Sequence, residues 1–196
     1  MYTHRNVPFR HALGVWWLSI ALAPAVEAQS VQVIGDNGGK TCYRAAELAV
    51  STHVASKDDV AACTRFLAQD RITKSDRAAA LVNRGILEMA AGDHAAARRS
   101  YDDALQLAEN RGETRINIAN IYMHQARYRE AVSEYTKGIP LMKRRQHVGY
   151  LNRGLAYEYL EEYEAAGADY ARALNLAPQW IRAKKMLARV RLKQSP

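Results

Sequence analysis

The sequence predicts an all-α solenoid of stacked helix hairpins. Three observations lead there. A pattern recurs between residues 81 and 178 in steps of 34 and then 35 residues, each unit holds two apolar-periodic runs, and a turn-like segment divides the two. With 196 residues and 48% hydrophobic content the chain can build one domain with an appendage, and wholesale disorder is excluded.

The first element is read as an export leader. Residues 1–11 carry Arg5 and Arg10 and no acid, and the apolar run 12–23 follows. Pro24 then precedes Val26-Glu27-Ala28, where small or modest residues stand at the positions a signal peptidase reads. The run is short for a transmembrane helix, which needs about 20 apolar residues. Cleavage near Ala28 is expected, with an uncleaved anchor as the alternative, and the mature chain is expected outside the cytoplasm, in a periplasm. Of the formal charge of +8, the leader supplies +1 and residues 170–196 supply +7, so residues 29–169 balance. Basicity is therefore local.

Residues 29–41 read as a linker. The stretch Val31–Thr41 imitates a phosphate loop, but only Asp36, Asn37 and Gly38 separate Gly35 from Gly39, where a Walker-type loop needs four residues before its Gly-Lys pair. Residues 42–77 read as a degenerate leading hairpin, with Ser56 placed to cap its second helix. Cys42 and Cys63 within it are expected to pair, since exported thiols tend to oxidise; two separate buried thiols are the alternative.

Three units follow, at 78–111, 112–146 and 147–180. Gly85, Ala119 and Gly154 share one column, Ala97, Ala131 and Ala166 a second, Tyr101, Tyr135 and Tyr170 a third, and Ala104, Gly138 and Ala173 a fourth, with Pro178 closing the last unit. Small residues let helices approach, and the tyrosines are expected to fill grooves between neighbouring hairpins. Pro140 should break or kink the helix that holds it. Residues 181–196 read as a cap helix with Ala183, Met186, Leu187 and Val190 inward.

At these columns the chain resembles the tetratricopeptide repeat family. It departs at Glu88, where an aromatic is usual, and at Gly138 and Pro140. The resemblance implies a non-enzymatic adaptor binding a protein or peptide partner in a concave groove. It also implies that Asn83, Asn117 and Asn152, each two residues before the small-residue column, face that groove as an asparagine ladder, with Asn120 one turn beyond Asn117. A carboxamide both donates and accepts, so it can pair with a peptide backbone whatever the side chains. The side-chain contacts would come from Ile86, Ile116, Leu151 and Leu155, with Met123, His124 and Tyr159 at the far edge. The alternative is that these asparagines cap or bridge helices internally. In the family, Arg84 and Arg153 would face the partner helix.

A second class of function starts from the basic end. Arg182, Lys184, Lys185, Arg189, Arg191 and Lys193, together with the loop Lys143, Arg144 and Arg145, form a patch that would dock on an anionic envelope surface. Nucleic acid is not expected for an exported chain, and the same charges can act as a solubility device. His53, His94, His124 and His147 include no pair at i, i+4 spacing, and no nucleophile elbow, H-E-x-x-H or acid pair in an evident pocket occurs. The sequence thus leads us to expect no catalytic site, metal site or cofactor.

Overall fold

The computed structural model describes residues 28–30, 37–108 and 111–194, so the expected leader, apart from Ala28, lies outside the described residues. Among those described are nine α-helices and no strand: α1 Asn37–Thr52, α2 Lys57–Leu67, α3 Lys74–Ala90, α4 His94–Leu107, α5 Gly112–His124, α6 Tyr128–Gly138, α7 Gln146–Tyr159, α8 Tyr163–Leu176 and α9 Ile181–Gln194. They pair in order as α1–α2, α3–α4, α5–α6 and α7–α8, with α9 laid against α8. The fold is an all-α solenoid.

Local chemistry starts and stops these helices. Ser56 and Asp59 form a reciprocal capping box on α2, Thr73 accepts from the Asp76 N–H on α3, and Asp93 accepts from the Ala96 N–H on α4. The turn inside each repeat closes with one left-handed residue, at Gly92, Ala126 and Glu161. The next N–H reaches back to the carbonyl of Glu88, Tyr122 or Tyr157 at 2.9 Å. At Pro140, α6 gives way to a single 3-10 turn, Ile139–Leu141, as the missing N–H and fixed ring require.

All three tyrosines of the repeating column are buried, and Tyr101 and Tyr170 lie against the small residue of their own hairpin. A Cβ on Gly85 would come within 2.4 Å of the Tyr101 ring, and one on Gly154 within 2.7 Å of Tyr170. Tyr101 and Tyr170 thus lock the two helices of their own hairpins together, a contact the sequence did not indicate, while Tyr135 also reaches Asn152 of the next hairpin. Beside each ring runs a polar clasp. Arg84 donates to Ser100 at 3.0 Å, Arg115 to Glu134 at 3.3 Å, and Arg153 to both oxygens of Asp169 at 2.7 and 2.8 Å. The position before each tyrosine thus receives a first-helix arginine, and Arg84 and Arg153 do face the partner helix.

The leading end brings one further difference and one agreement. The expected linker is helical from Asn37, because tertiary contact, which buries Gly39, overrides the poor helix propensity of Gly38-Gly39. Cys42 and Cys63 are joined by a disulfide between α1 and α2, with Cα atoms 4.6 Å apart and both side chains buried. At the other end Ala183, Met186 and Val190 face inward as expected.

Candidate functional site: the inner face of the first helices

The first helices α3, α5 and α7 also meet one another from repeat to repeat, and no comparable contact joins α4 to α6 or α6 to α8 among the described residues. The first helices therefore form the tighter, inner layer of the curve. Asn83, Asn117, Asn120 and Asn152 lie on this layer, and none is more than 3% exposed.

Their buried carboxamides have different tasks. Asn117 pairs with a main chain: its Oδ1 accepts from the Gln29 N–H at 2.9 Å and its Nδ2 donates to the Gln29 carbonyl at 3.0 Å. Gln29 belongs to the non-helical segment 28–30 and is buried, and Ala28 packs against the core of the first repeats. Asn120 and Asn152 hold the scaffold together. Asn120 Oδ1 accepts from the Tyr135 hydroxyl at 2.6 Å and from Asn152 Nδ2 at 3.2 Å, tying α5, α6 and α7 into one network. Burial pushes the Tyr135 phenol well above its usual range, so it stays a donor. For Asn120 and Asn152 this is the internal bridging that the sequence left as the alternative.

The apolar residues expected to grip side chains are core residues instead. Ile86, Ile116, Leu151, Leu155 and Met123 are all buried. Ile116, for one, points at Gly138 and Gly149, filling the seam between repeats that the small residues open. Counting positions along a helix locates a face but not its coverage, and here neighbouring helices cover it. At the far edge, Tyr159 is 42% exposed and stacks on Tyr128 at 4.7 Å, while His124 lies beside His94 with centroids 5.5 Å apart.

The basic end is less uniform than its sequence. Arg189 donates to Glu158 at 2.8 Å and Lys193 approaches it at 3.4 Å, so two of the cations neutralise a buried carboxylate and fasten the cap helix to α7. Burial alone would raise the Glu158 pKa. Hydrogen bonds from Arg189 and from Tyr170 (2.9 Å), with the charges of Arg189 and Lys193, outweigh burial and hold it below the usual carboxylate range. Leu155, Glu158, Tyr159, Arg189 and Lys193 line a dent of about 240 Å³. Lys184, Lys185 and Arg191 are exposed on α9 and Arg182 is half-buried, while Lys143, Arg144 and Arg145 are exposed in the loop before α7. Sequence reasoning missed Gln29 and the carboxylate that Arg189 serves. Their partners lie 88 and 31 positions away, outside any local pattern.

Comparison with known proteins agrees with this architecture. Tetratricopeptide-repeat family models match residues 88–144 and 148–179. The mitochondrial import receptor subunit TOM70 of Mus musculus is 28% identical over 86 residues, 41% of this chain and 14% of that protein, so the likeness spans only a small part of that relative. Among solved structures, the Arabidopsis OM64 TPR domain is 26% identical with a TM-score of 0.58, covering 62% of this chain and 99% of that one. The first TPR of Spaghetti (RPAP3), solved bound to the HSP90 peptide SRMEEVD, shares the fold at 23% identity with a TM-score of 0.60, covering 63% of this chain and all of that one. Inner first helices, hairpins locked by tyrosine on glycine and the matched models together identify residues 88–179 of this chain as tetratricopeptide repeats, a protein-interaction fold.

Proposed function

We propose that the chain is an exported adaptor that holds the main chain of a non-helical polypeptide segment against the inner face of its first helices, with Asn117 as the reader. The observation that carries this reading is the two-way hydrogen bonding of the Asn117 carboxamide with the main chain of Gln29. A carboxamide in that arrangement satisfies one N–H and one C=O of a peptide without reference to its side chains. Export is supported by the leader-like opening and by the Cys42–Cys63 disulfide, since disulfides persist mainly in oxidising compartments.

Selection of a random peptide library on the full chain tests the reading. Selected peptides should bind with little change from low to physiological ionic strength, and Asn117→Ala should weaken them about tenfold, the loss of two hydrogen bonds of roughly 1 kcal/mol each being partly offset by water. Selected peptides whose affinity ignores Asn117→Ala, or no selectable peptide at all, would refute it. Binding that falls steeply with salt and depends on Lys184 and Lys185 would instead move the function to an anionic surface docked on the cap helix.

A further inference from the structure

We infer that the inner face carries a resident ligand supplied by the chain itself: residues 28–30 occupy the Asn117 site in cis and must leave before another peptide can enter. This rests on the reading of Asn117 as a main-chain reader.

Four observations support it. The contact joins residues 88 apart in sequence, so it is a docked segment and not a local turn. Both hydrogen bonds go to the Gln29 main chain, which any other peptide can present equally well. The segment is seated, with Gln29 buried and Ala28 packed on the apolar core that α3 and α5 share. The seat is also imperfect, because the buried Gln29 Nε2 has no hydrogen-bond partner. A buried donor left unmade penalises the bound state, so this occupant is held less firmly than its buried position allows and is displaceable.

Only residues 31–36 separate the docked segment from α1, so the tether is short. A short tether holds a segment at an effective concentration of about millimolar, and an external peptide must outcompete that. The device sets a threshold. Peptides that merely match the site stay out, while one that also fills the position of the Gln29 side chain, or binds beyond it, gets in.

The test uses the full chain with its leader uncleaved, in which Gln29 keeps its peptide N–H, and a fluorescent peptide with the sequence of residues 26–34. Gln29→Pro removes the N–H that Asn117 accepts and frees the site without touching the solenoid. The peptide should bind this variant at least about tenfold more tightly than it binds wild type. Gln29→Ala keeps the main chain and removes the unpaired amide, so it should bind no better than wild type, and its residue-29 amide should exchange with solvent more slowly than that of wild type. Asn117→Ala should weaken peptide binding about tenfold and deprotect the Gln29 amide.

Equal affinity for Gln29→Pro and wild type, with Asn117→Ala still weakening binding, overturns the resident ligand and leaves the adaptor reading intact. Absence of binding to every variant overturns both. Gln29 protection that rises with protein concentration assigns the segment to a second copy and overturns occupation in cis.

Discussion

Ala126 and Glu161 sit at φ of 55° and 61°, where their repeat counterpart is Gly92 at 83°. A side chain in that left-handed conformation crowds its own carbonyl, a strain that glycine lacks. Ala126→Gly and Glu161→Gly should each stabilise the fold by about 0.5–1 kcal/mol, read as a higher urea midpoint. The helical glycines divide by what a Cβ would meet. At Gly85 it would strike the buried Tyr101 ring at 2.4 Å, whereas at Gly167 its nearest neighbour is Val190 at an ordinary 3.4 Å. Gly85→Ala should therefore destabilise by about 1–3 kcal/mol through overpacking. Gly167→Ala should stabilise by roughly 0.5–1 kcal/mol by reducing the backbone freedom lost on folding. The same denaturation series checks both, and two changes of the same sign would contradict the packing described. The small-residue column was readable in the sequence as a close approach. That the tyrosine of the same hairpin makes the approach was not, because spacing alone does not say which neighbour a ring enters.

Two elements each carry, beside their packing, one fastening that can be tested alone. The cap helix α9 is held to α7 by Arg189 and Lys193 on Glu158. Because the folded pKa of Glu158 lies below its unfolded value, its contribution is fully present above the unfolded value of an ordinary glutamate. It is lost as pH falls through the lower folded value. Glu158→Gln should unfold at lower urea than wild type at neutral pH, and the gap should close on acidification; a gap that persists in acid would show that packing, not charge, carries the contact. Glu88 shows the opposite shift, raised chiefly by burial against the pull of its hydrogen bond from Ser100, so it weakens folding as pH rises through its range. The leading hairpin is held by Cys42–Cys63, which spans 21 positions. By the chain-entropy argument a loop of this size is worth about 3 kcal/mol. Reduction should release hydrogen-exchange protection in α1 and α2 first, while α5 to α8 stay protected; simultaneous loss throughout would mean the hairpin is integral to the array. The hairpin itself was legible in the sequence, down to the Ser56 cap. Its start at Asn37 was not, since Gly-Gly argues against a helix that the packing nonetheless imposes.

At the scale of the whole molecule, the described residues form two cores that share α5. Ile116, Ala119 and Met123 join the cluster that runs to Val190, while Ile118 and Ile121 join the one that begins at Cys42. A helix apolar on both sides couples the halves, so its residues decide whether the solenoid melts as one body. Ile121→Ala should cost about 2–5 kcal/mol and split thermal unfolding into two transitions, the first belonging to the leading half. A single sharpened or unchanged transition would show that coupling runs elsewhere. This helix explains why periodicity served less well for α5 than for its neighbours: with apolar residues all round, no stripe marks which face is inner.

By itself the sequence determined the all-α class, the repeat length, the turns and the kink at Pro140. These are written in side chains that recur at a fixed interval, and steric rules act on them locally. Only the tertiary structure decided what covers each face. Of the carboxamides expected in one row, Asn83 is buried on α3, Asn117 holds the main chain of Gln29 and Asn120 bridges to Asn152, and the expected apolar contacts became core. The physical reason is distance along the chain. Burial and pairing are set by neighbours tens of residues away, which a helical period of 3.6 does not encode.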